Sequence, residues 1–119
     1  MRKLCIALMA FGWMAAHAQD VPYPPDDIKA KWVGKKIFAR ASNGQLVDLT
    51  LDADGNATVA VGNLVDSGRW RLWEKGYCAK WQKIRAGQEA CLTVVRRGSD
   101  IYVLNADGSV NAQVLRNPE

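Results

Sequence analysis

Short runs of β-branched or alternating apolar and polar residues, separated by glycine-containing turns, dominate the chain from Gly34 onward. Alternation with a period of two places every second side chain on one face of a strand, which is typical of a sheet with one buried face. Pairs such as Asn43-Gly44 and Asp107-Gly108 can supply the positive φ angle that tight hairpins need. The predicted strands cover residues 36–41, 45–51, 57–61, 68–73, 77–81, 90–96, 101–105 and 110–115.

Strands this short and this closely spaced predict an all-β fold with a single domain at residues 34–119. We expect a small antiparallel meander of about eight strands that closes into a barrel or forms a strongly curved sheet. Closure is favoured because a closed sheet has no unpaired edge strand.

Residues 19–33 predict a proline-rich lead followed by one short helix. The prolines hold the lead extended. Asp26 and Asp27 offer an N-terminal cap and acidic side chains for a first helical turn. Ile28 and Trp32 are four residues apart, so a helix places both on one face.

The first 18 residues have the pattern of an export signal that is cleaved off. Arg2 and Lys3 precede a long apolar stretch, and Ala16-His17-Ala18 has the small residues of a cleavage site. The apolar stretch is short for a membrane span, so we expect no stable membrane anchor. The sequence therefore predicts a periplasmic or secreted protein whose mature chain begins at Gln19.

The charge balance gives no reason to propose nucleic acid as a partner. Of the 16 lysines and arginines, Arg2 and Lys3 lie in the leader, whereas all 12 acidic residues follow it. The net charge of +4 therefore comes partly from the leader. Nucleic-acid binding depends on a strongly basic surface, so we expect a protein or cell-envelope component as the partner.

Two cysteines, Cys78 and Cys91, follow the leader. An even set of cysteines in a small exported domain predicts a disulfide between them. A zinc site is the poorer interpretation, because the chain has one histidine, His17, and it lies in the leader. We therefore expect a disulfide and no metal.

The same composition argues against catalysis. Without a histidine after the leader, and with both thiols tied together, serine–histidine and cysteine–histidine mechanisms lack their base or nucleophile. Glu74 and Glu89 are the obvious candidates for carboxylate chemistry, but they lie in what read as polar connections. We expect neither an enzyme nor a cofactor.

Aromatic and basic residues cluster between residues 69 and 81. If Trp70 points into the core, alternation turns Arg69, Arg71 and Trp73 outward, and the next strand then places Lys80 on the same face. An exposed tryptophan surrounded by basic side chains has the composition of an interaction hot spot. The alternative is a solvated face whose long side chains cover the tryptophan. We hypothesise a non-catalytic binding module that uses this outer face.

The inward side of the same strands carries Trp70, Tyr77 and Trp81. These rings suggest a second hypothesis, in which a small apolar ligand lies between them inside the barrel. The simpler alternative is that the rings fill the interior and leave no cavity.

Most of the chain from Trp32 onward resembles a group of small exported proteobacterial proteins of uncharacterised function. The resemblance rests on Ser67-Gly68-Arg69-Trp70, Gly76-Tyr77-Cys78-Ala79-Lys80-Trp81, Glu89-Ala90-Cys91 and Gly98-Ser99-Asp100-Ile101-Tyr102. In size, disulfide and expected barrel form the chain is also similar to periplasmic inhibitors of c-type lysozyme, although that family's inhibitory loop has no residue-by-residue match here. This second likeness implies lysozyme inhibition as the sharpest form of the binding hypothesis.

Overall fold

Eight antiparallel strands follow one another around a common axis and close on themselves. The structure is a computed structural model that describes residues 19–116; the predicted leader and its predicted cleavage site lie outside these residues. The strands described are β1 Asp20–Pro22, β2 Lys36–Ala41, β3 Leu46–Leu51, β4 Asn56–Val61, β5 Leu64–Trp73, β6 Gly76–Trp81, β7 Glu89–Arg97, β8 Asp100–Leu104 and β9 Val110–Val114.

Closure occurs between the first and last strands of the meander. Each strand from β2 to β9 pairs antiparallel with the next, and β9 pairs back onto β2, where Ala39 lies opposite Val114 and Ala41 opposite Ala112. The predicted eight-stranded barrel is therefore confirmed.

The start of β5 is the largest error in the predicted strand bounds. This strand begins at Leu64, whereas the sequence predicted a start at Gly68. The polarity of the missed part is inverted: Val65 is 68% exposed, whereas Asp66 is only 4% exposed. Alternation could not identify a strand whose apolar residue faces water and whose carboxylate is buried.

The short strand β1 was not predicted. It pairs with the end of β7, where Val21 lies opposite Arg96, and Arg97 donates a hydrogen bond of 2.6 Å to Asp20. Beyond β1 the Tyr23 amide donates to the Val94 carbonyl at 3.0 Å. These bonds fasten the N-terminal segment to the barrel wall.

A short helix, α1, closes one end of the barrel. It begins as an α-turn at Pro25–Asp27 and continues as a π-helical turn at Ile28–Trp32. The predicted apolar pair is confirmed, because Ile28 and Trp32 are completely buried. The expected aspartate cap is wrong: Pro24 occupies the cap position and no side chain caps the helix.

The Trp32 ring is the centre of this plug. Its indole nitrogen donates to the Tyr23 hydroxyl at 3.2 Å, and its ring centroid lies 6.3 Å from that of Tyr77 on the barrel wall. Directly after α1, the Gly34 amide donates to the Leu51 carbonyl at 2.8 Å. We call this end of the barrel the plugged end and the opposite one the open end.

Two glycines allow neighbouring strands to approach closely. A Cβ atom at Gly68 would lie 2.0 Å from the Lys80 carbonyl oxygen, and one at Gly76 would lie 2.3 Å from the Leu92 carbonyl oxygen. Because these neighbours are backbone atoms, no side chain fits at either position. The close approach of the neighbouring strands therefore requires glycine at Gly68 and at Gly76.

Candidate functional site

The structure brings the four predicted outer-face residues together. On β5 and β6, Arg69 lies opposite Lys80 and Arg71 lies opposite Cys78. Trp73 follows two residues later on the same face of β5, because side chains alternate along a strand. We call Arg69, Arg71, Trp73 and Lys80 the outer patch.

The predicted disulfide joins two adjacent strands beside the outer patch. Cys78 and Cys91 are directly opposed on β6 and β7, with their Cα atoms 3.9 Å apart. The Glu89 carboxylate lies close to both sulfurs, but the sulfurs are bonded to each other and do not have free thiolates to offer a metal.

Most hydrogen-bonding groups of the outer patch already have partners. Arg71 donates two bonds of 3.1 Å to Glu89, which lowers the pKa of that carboxyl through hydrogen bonding and charge. Arg69 donates to Asn56 at 2.7 Å. The Trp73 indole donates to the Leu92 carbonyl at 2.8 Å, and its ring is only half exposed. Most polar groups of the outer patch therefore already have hydrogen-bond partners within the protein.

A cavity of about 360 Å³ occupies the barrel interior. Its walls are mostly apolar, and they include Ile37 and Leu49 from β2 and β3, and Leu92 from β7. Trp32 of α1 contributes to the deep part of the lining, and the opposite end leads to the turns of the open end. The expectation of a completely filled interior is therefore wrong.

Small side chains at inward positions account for this space. An eight-stranded barrel is narrow enough for its own side chains to fill it. Here, inward positions on four of the strands carry alanines. Larger side chains at these positions would meet across the lumen. The alanines that line the cavity are Ala39, Ala41, Ala79, Ala90 and Ala112.

The three aromatic residues proposed for the lumen separate into two places. Tyr77 and Trp81 line the cavity. Trp70 is packed against the core, but its indole nitrogen donates to the Asp52 carbonyl at 2.7 Å, near the plugged end. The structure therefore assigns Tyr77 and Trp81, but not Trp70, to the lumen.

The Tyr77 hydroxyl is the polar group inside the cavity. Burial raises the pKa of Tyr77 to about 12, and the positive charge of Arg85 partly opposes this rise. Within residues 19–116, every fully buried side-chain nitrogen or oxygen atom has a hydrogen-bond partner. No hydrogen bond of the described residues involves this hydroxyl, so its oxygen is accessible from the cavity.

Polar side chains gather at the mouth of the cavity. Ser42 and Asn43 come from the turn after β2, Asn111 comes from β9, and Arg85 comes from the loop between β6 and β7. The Arg85 guanidinium lies 3.5 Å from the Asn105 side-chain oxygen. These residues were missed because they belong to separate turns and to the start of β9, which only the closed barrel brings to one rim.

The loop that carries Arg85 has an unusual backbone. Arg85 and Ala86 have φ angles of 56° and 52°, and Gly87 continues the left-handed turn at 78°. Left-handed conformations are costly for residues that have a Cβ atom, so the surrounding structure must hold them.

The buried Asp66 carboxylate holds this loop against β5. It accepts hydrogen bonds of 2.9 Å from the amides of Lys83 and Ile84, and one of the same length from Ser67. Burial alone would raise the pKa of Asp66, but the backbone donors outweigh it and lower the pKa below its usual value. The Asp66 carboxylate thus holds in place the loop that carries Arg85 to the mouth of the cavity.

Comparisons with protein-family models, with curated proteins and with solved structures found no match to this chain. In the part of the chain that the structure describes, no helix is long and apolar enough to cross a bilayer.

Proposed function

We propose that this protein is an exported, non-catalytic binding module that takes a small, mostly apolar molecule into its barrel. The single observation that carries the proposal is the cavity of about 360 Å³ with its apolar walls. Small-molecule sites typically have volumes of about 300–1,000 Å³, an apolar lining and a few polar groups that set orientation. This interior has each of these properties, at the small end of the range.

The lumen is a better candidate than the outer patch because fewer of its polar groups have hydrogen-bond partners within the protein. Arg71 is engaged by Glu89 and the Trp73 indole by a backbone carbonyl. By contrast, the Tyr77 hydroxyl has no hydrogen-bond partner among the described residues. A partnerless donor in an apolar space is stabilised when a ligand supplies an acceptor.

A substitution that fills the lumen tests this proposal. The probe is N-phenyl-1-naphthylamine, a neutral dye that fluoresces in apolar surroundings. We expect the native protein to enhance its fluorescence and Ala79→Leu to abolish the enhancement, because a larger side chain at this inward position occupies the cavity.

The matched control is Ala60→Leu, which adds the same atoms on the outward side of β4, opposite Val65. This variant should bind the dye as the native protein does. Equal binding by the native protein and Ala79→Leu, or no binding by the native protein, would refute ligand binding in the lumen.

A second candidate function, binding of a protein or envelope component through the outer patch, is favoured by one observation. Arg69 and Lys80 lie directly opposite each other, and like charges at opposed positions destabilise a sheet. Glu89, which lies opposite Lys80 on β7, offsets part of this repulsion, and an acidic group on a partner would relieve the rest. Inhibition of a c-type lysozyme is the specific form of this candidate.

An activity assay with purified c-type lysozyme tests this candidate. We expect inhibition that Trp73→Ala weakens by at least about ten-fold, as hot-spot aromatics do. Thr58→Ala, on the exposed outward face of β4, serves as the control. Absence of inhibition by the folded native protein would remove lysozyme as the partner.

A further inference from the structure

The cavity has a marked charge asymmetry. Among its lining residues, Arg85 is charged, and none is an aspartate or glutamate. A cationic ligand would thus meet a like charge at the mouth and no opposite charge along the walls. An anionic ligand would meet an opposite charge there.

Arg85 is free to receive an anion. In the described part of the chain no carboxylate lies within ion-pair distance of its guanidinium, and its hydrogen bond to Asn105 is long at 3.5 Å. Arg71 and Arg97 differ in this respect, because each forms an ion pair, with Glu89 and Asp20 respectively. A guanidinium has five donors arranged to match a carboxylate.

The backbone that places Arg85 at the mouth has an unfavourable conformation. Its left-handed φ angle of 56° is maintained by a loop that Asp66 anchors through two amides. Strained residues of this kind persist only where the surrounding structure determines them, and they cluster at ligand sites. The strain is therefore a second observation that points to the same rim.

Tyr77 provides a neutral donor that faces the same space. Burial raises the pKa of Tyr77 to about 12, so its hydroxyl keeps its proton at physiological pH and adds no charge to the cavity. Arg85 is therefore the charged group that a ligand meets in this cavity.

We propose that the ligand is a small anionic amphiphile, with an apolar body inside the barrel and an acid group at the mouth that pairs with Arg85. This inference rests on the proposed lumen function and specifies its ligand class. The apolar walls bind the body of the molecule, whereas the positive charge of Arg85 selects an acid over an amine. The cavity volume restricts the ligand to a short or compact apolar body.

Three compounds with the same tail and different head groups test the ligand class: octanoate, 1-octanol and octylamine. The fluorescence of Trp32 and Trp81, which line the cavity, reports binding to the purified native protein. We expect octanoate to bind about five-fold more tightly than 1-octanol and octylamine to bind most weakly, because an exposed ion pair contributes up to about 1 kcal/mol.

Two variants assign this selectivity to Arg85. Arg85→Gln should bring octanoate to the affinity of 1-octanol, whereas the control Arg40→Gln, on the exposed outward face of β2, should change nothing.

Each other outcome overturns the inference. If octanoate binds no better than 1-octanol, or if Arg85→Gln binds octanoate as the native protein does, the ligand is not an acid held by Arg85. If none of the three compounds binds although the naphthylamine dye does, the ligand class is wrong and the lumen function remains. If the dye also fails to bind, the lumen function itself is wrong.

Discussion

At the scale of single residues, the two tryptophans of β5 show how alternation places nearby side chains on different faces of a strand. Trp70 is packed against the core, with its indole nitrogen bonded to the Asp52 carbonyl. Trp73 lies on the outer face, half exposed, and donates to the Leu92 carbonyl. The difference follows from a separation of three residues, an odd number, along one strand.

Replacing these tryptophans should therefore have unequal effects on stability. Trp70→Ala is expected to lower the free energy of unfolding by about 3 kcal/mol, because it leaves a cavity in the core. Trp73→Ala should cost about 1 kcal/mol, mainly through its lost hydrogen bond. Urea denaturation measures both values, and a larger loss for Trp73→Ala than for Trp70→Ala would show that the faces are reversed.

Asp66 predicts a dependence of stability on pH. The pKa of this carboxyl is lower in the folded protein than its ordinary value of 3.8, because four backbone amides outweigh the effect of burial. The ionised group therefore stabilises the fold above about pH 4, and this contribution is lost as the pH falls below that value.

The variant Asp66→Asn isolates this contribution. It should be less stable than the native protein at pH 7, and the difference should shrink as the pH falls below about 4, toward the lowered pKa of the native carboxyl. Asp20, Glu89 and Asp107 also have lowered pKa values, so both proteins should lose stability in acid. Urea denaturation at several pH values gives the comparison, and a difference that is constant with pH would contradict it.

At the scale of elements, β6 and β7 are joined both by their ladder and by the disulfide. The cysteines are separated by 13 positions, and the loop between them contains the left-handed turn at Arg85 and Ala86. The disulfide therefore closes the segment that carries the rim of the cavity. A link at the base of this segment limits the conformations that the unfolded chain can adopt.

Removal of this link should destabilise the whole barrel. The double variant Cys78→Ala, Cys91→Ala is expected to lower the free energy of unfolding by about 2–5 kcal/mol. Reduction of the native protein should produce a similar loss, which provides an internal control without mutation. Two free thiols in protein purified from its native compartment would contradict the disulfide.

Strand β1 and helix α1 together link the N-terminal segment to the barrel. Strand β1 is held by β7, and the helix that follows places Trp32 beneath the lumen. The N-terminal segment thus determines the depth of the cavity, although the strands form its walls.

At the scale of the whole molecule, the proposal of an exported binding module depends on processing of the leader. We expect mass spectrometry of the exported protein to find Gln19, or its cyclised form, at the N-terminus, because Ala16-His17-Ala18 has the cleavage pattern. Expression with the leader deleted provides the control, since that protein should stay in the cytoplasm. A product that retains residues 1–18 would refute the cleavage.

Much of the architecture could be predicted because it depends on local patterns. Alternation in Tyr77 to Trp81 and in Glu89 to Arg97 determines which side chains share a face, and so it puts Cys78, Cys91 and Arg71 on one outer face. Glycine turns limit each strand to a short run, and strands of this length without covered edges favour closure.

The lumen could not be predicted, because its volume depends on side chains that meet from many strands. Ala79 and Ala112 are ordinary strand residues in the sequence, and only the closed barrel places both beside one empty space. The same is true of the rim, where Asp66 anchors the loop of Arg85 from a distant strand. Strand order and facing follow from neighbours along the chain, whereas a cavity and its charge follow from distances across the barrel.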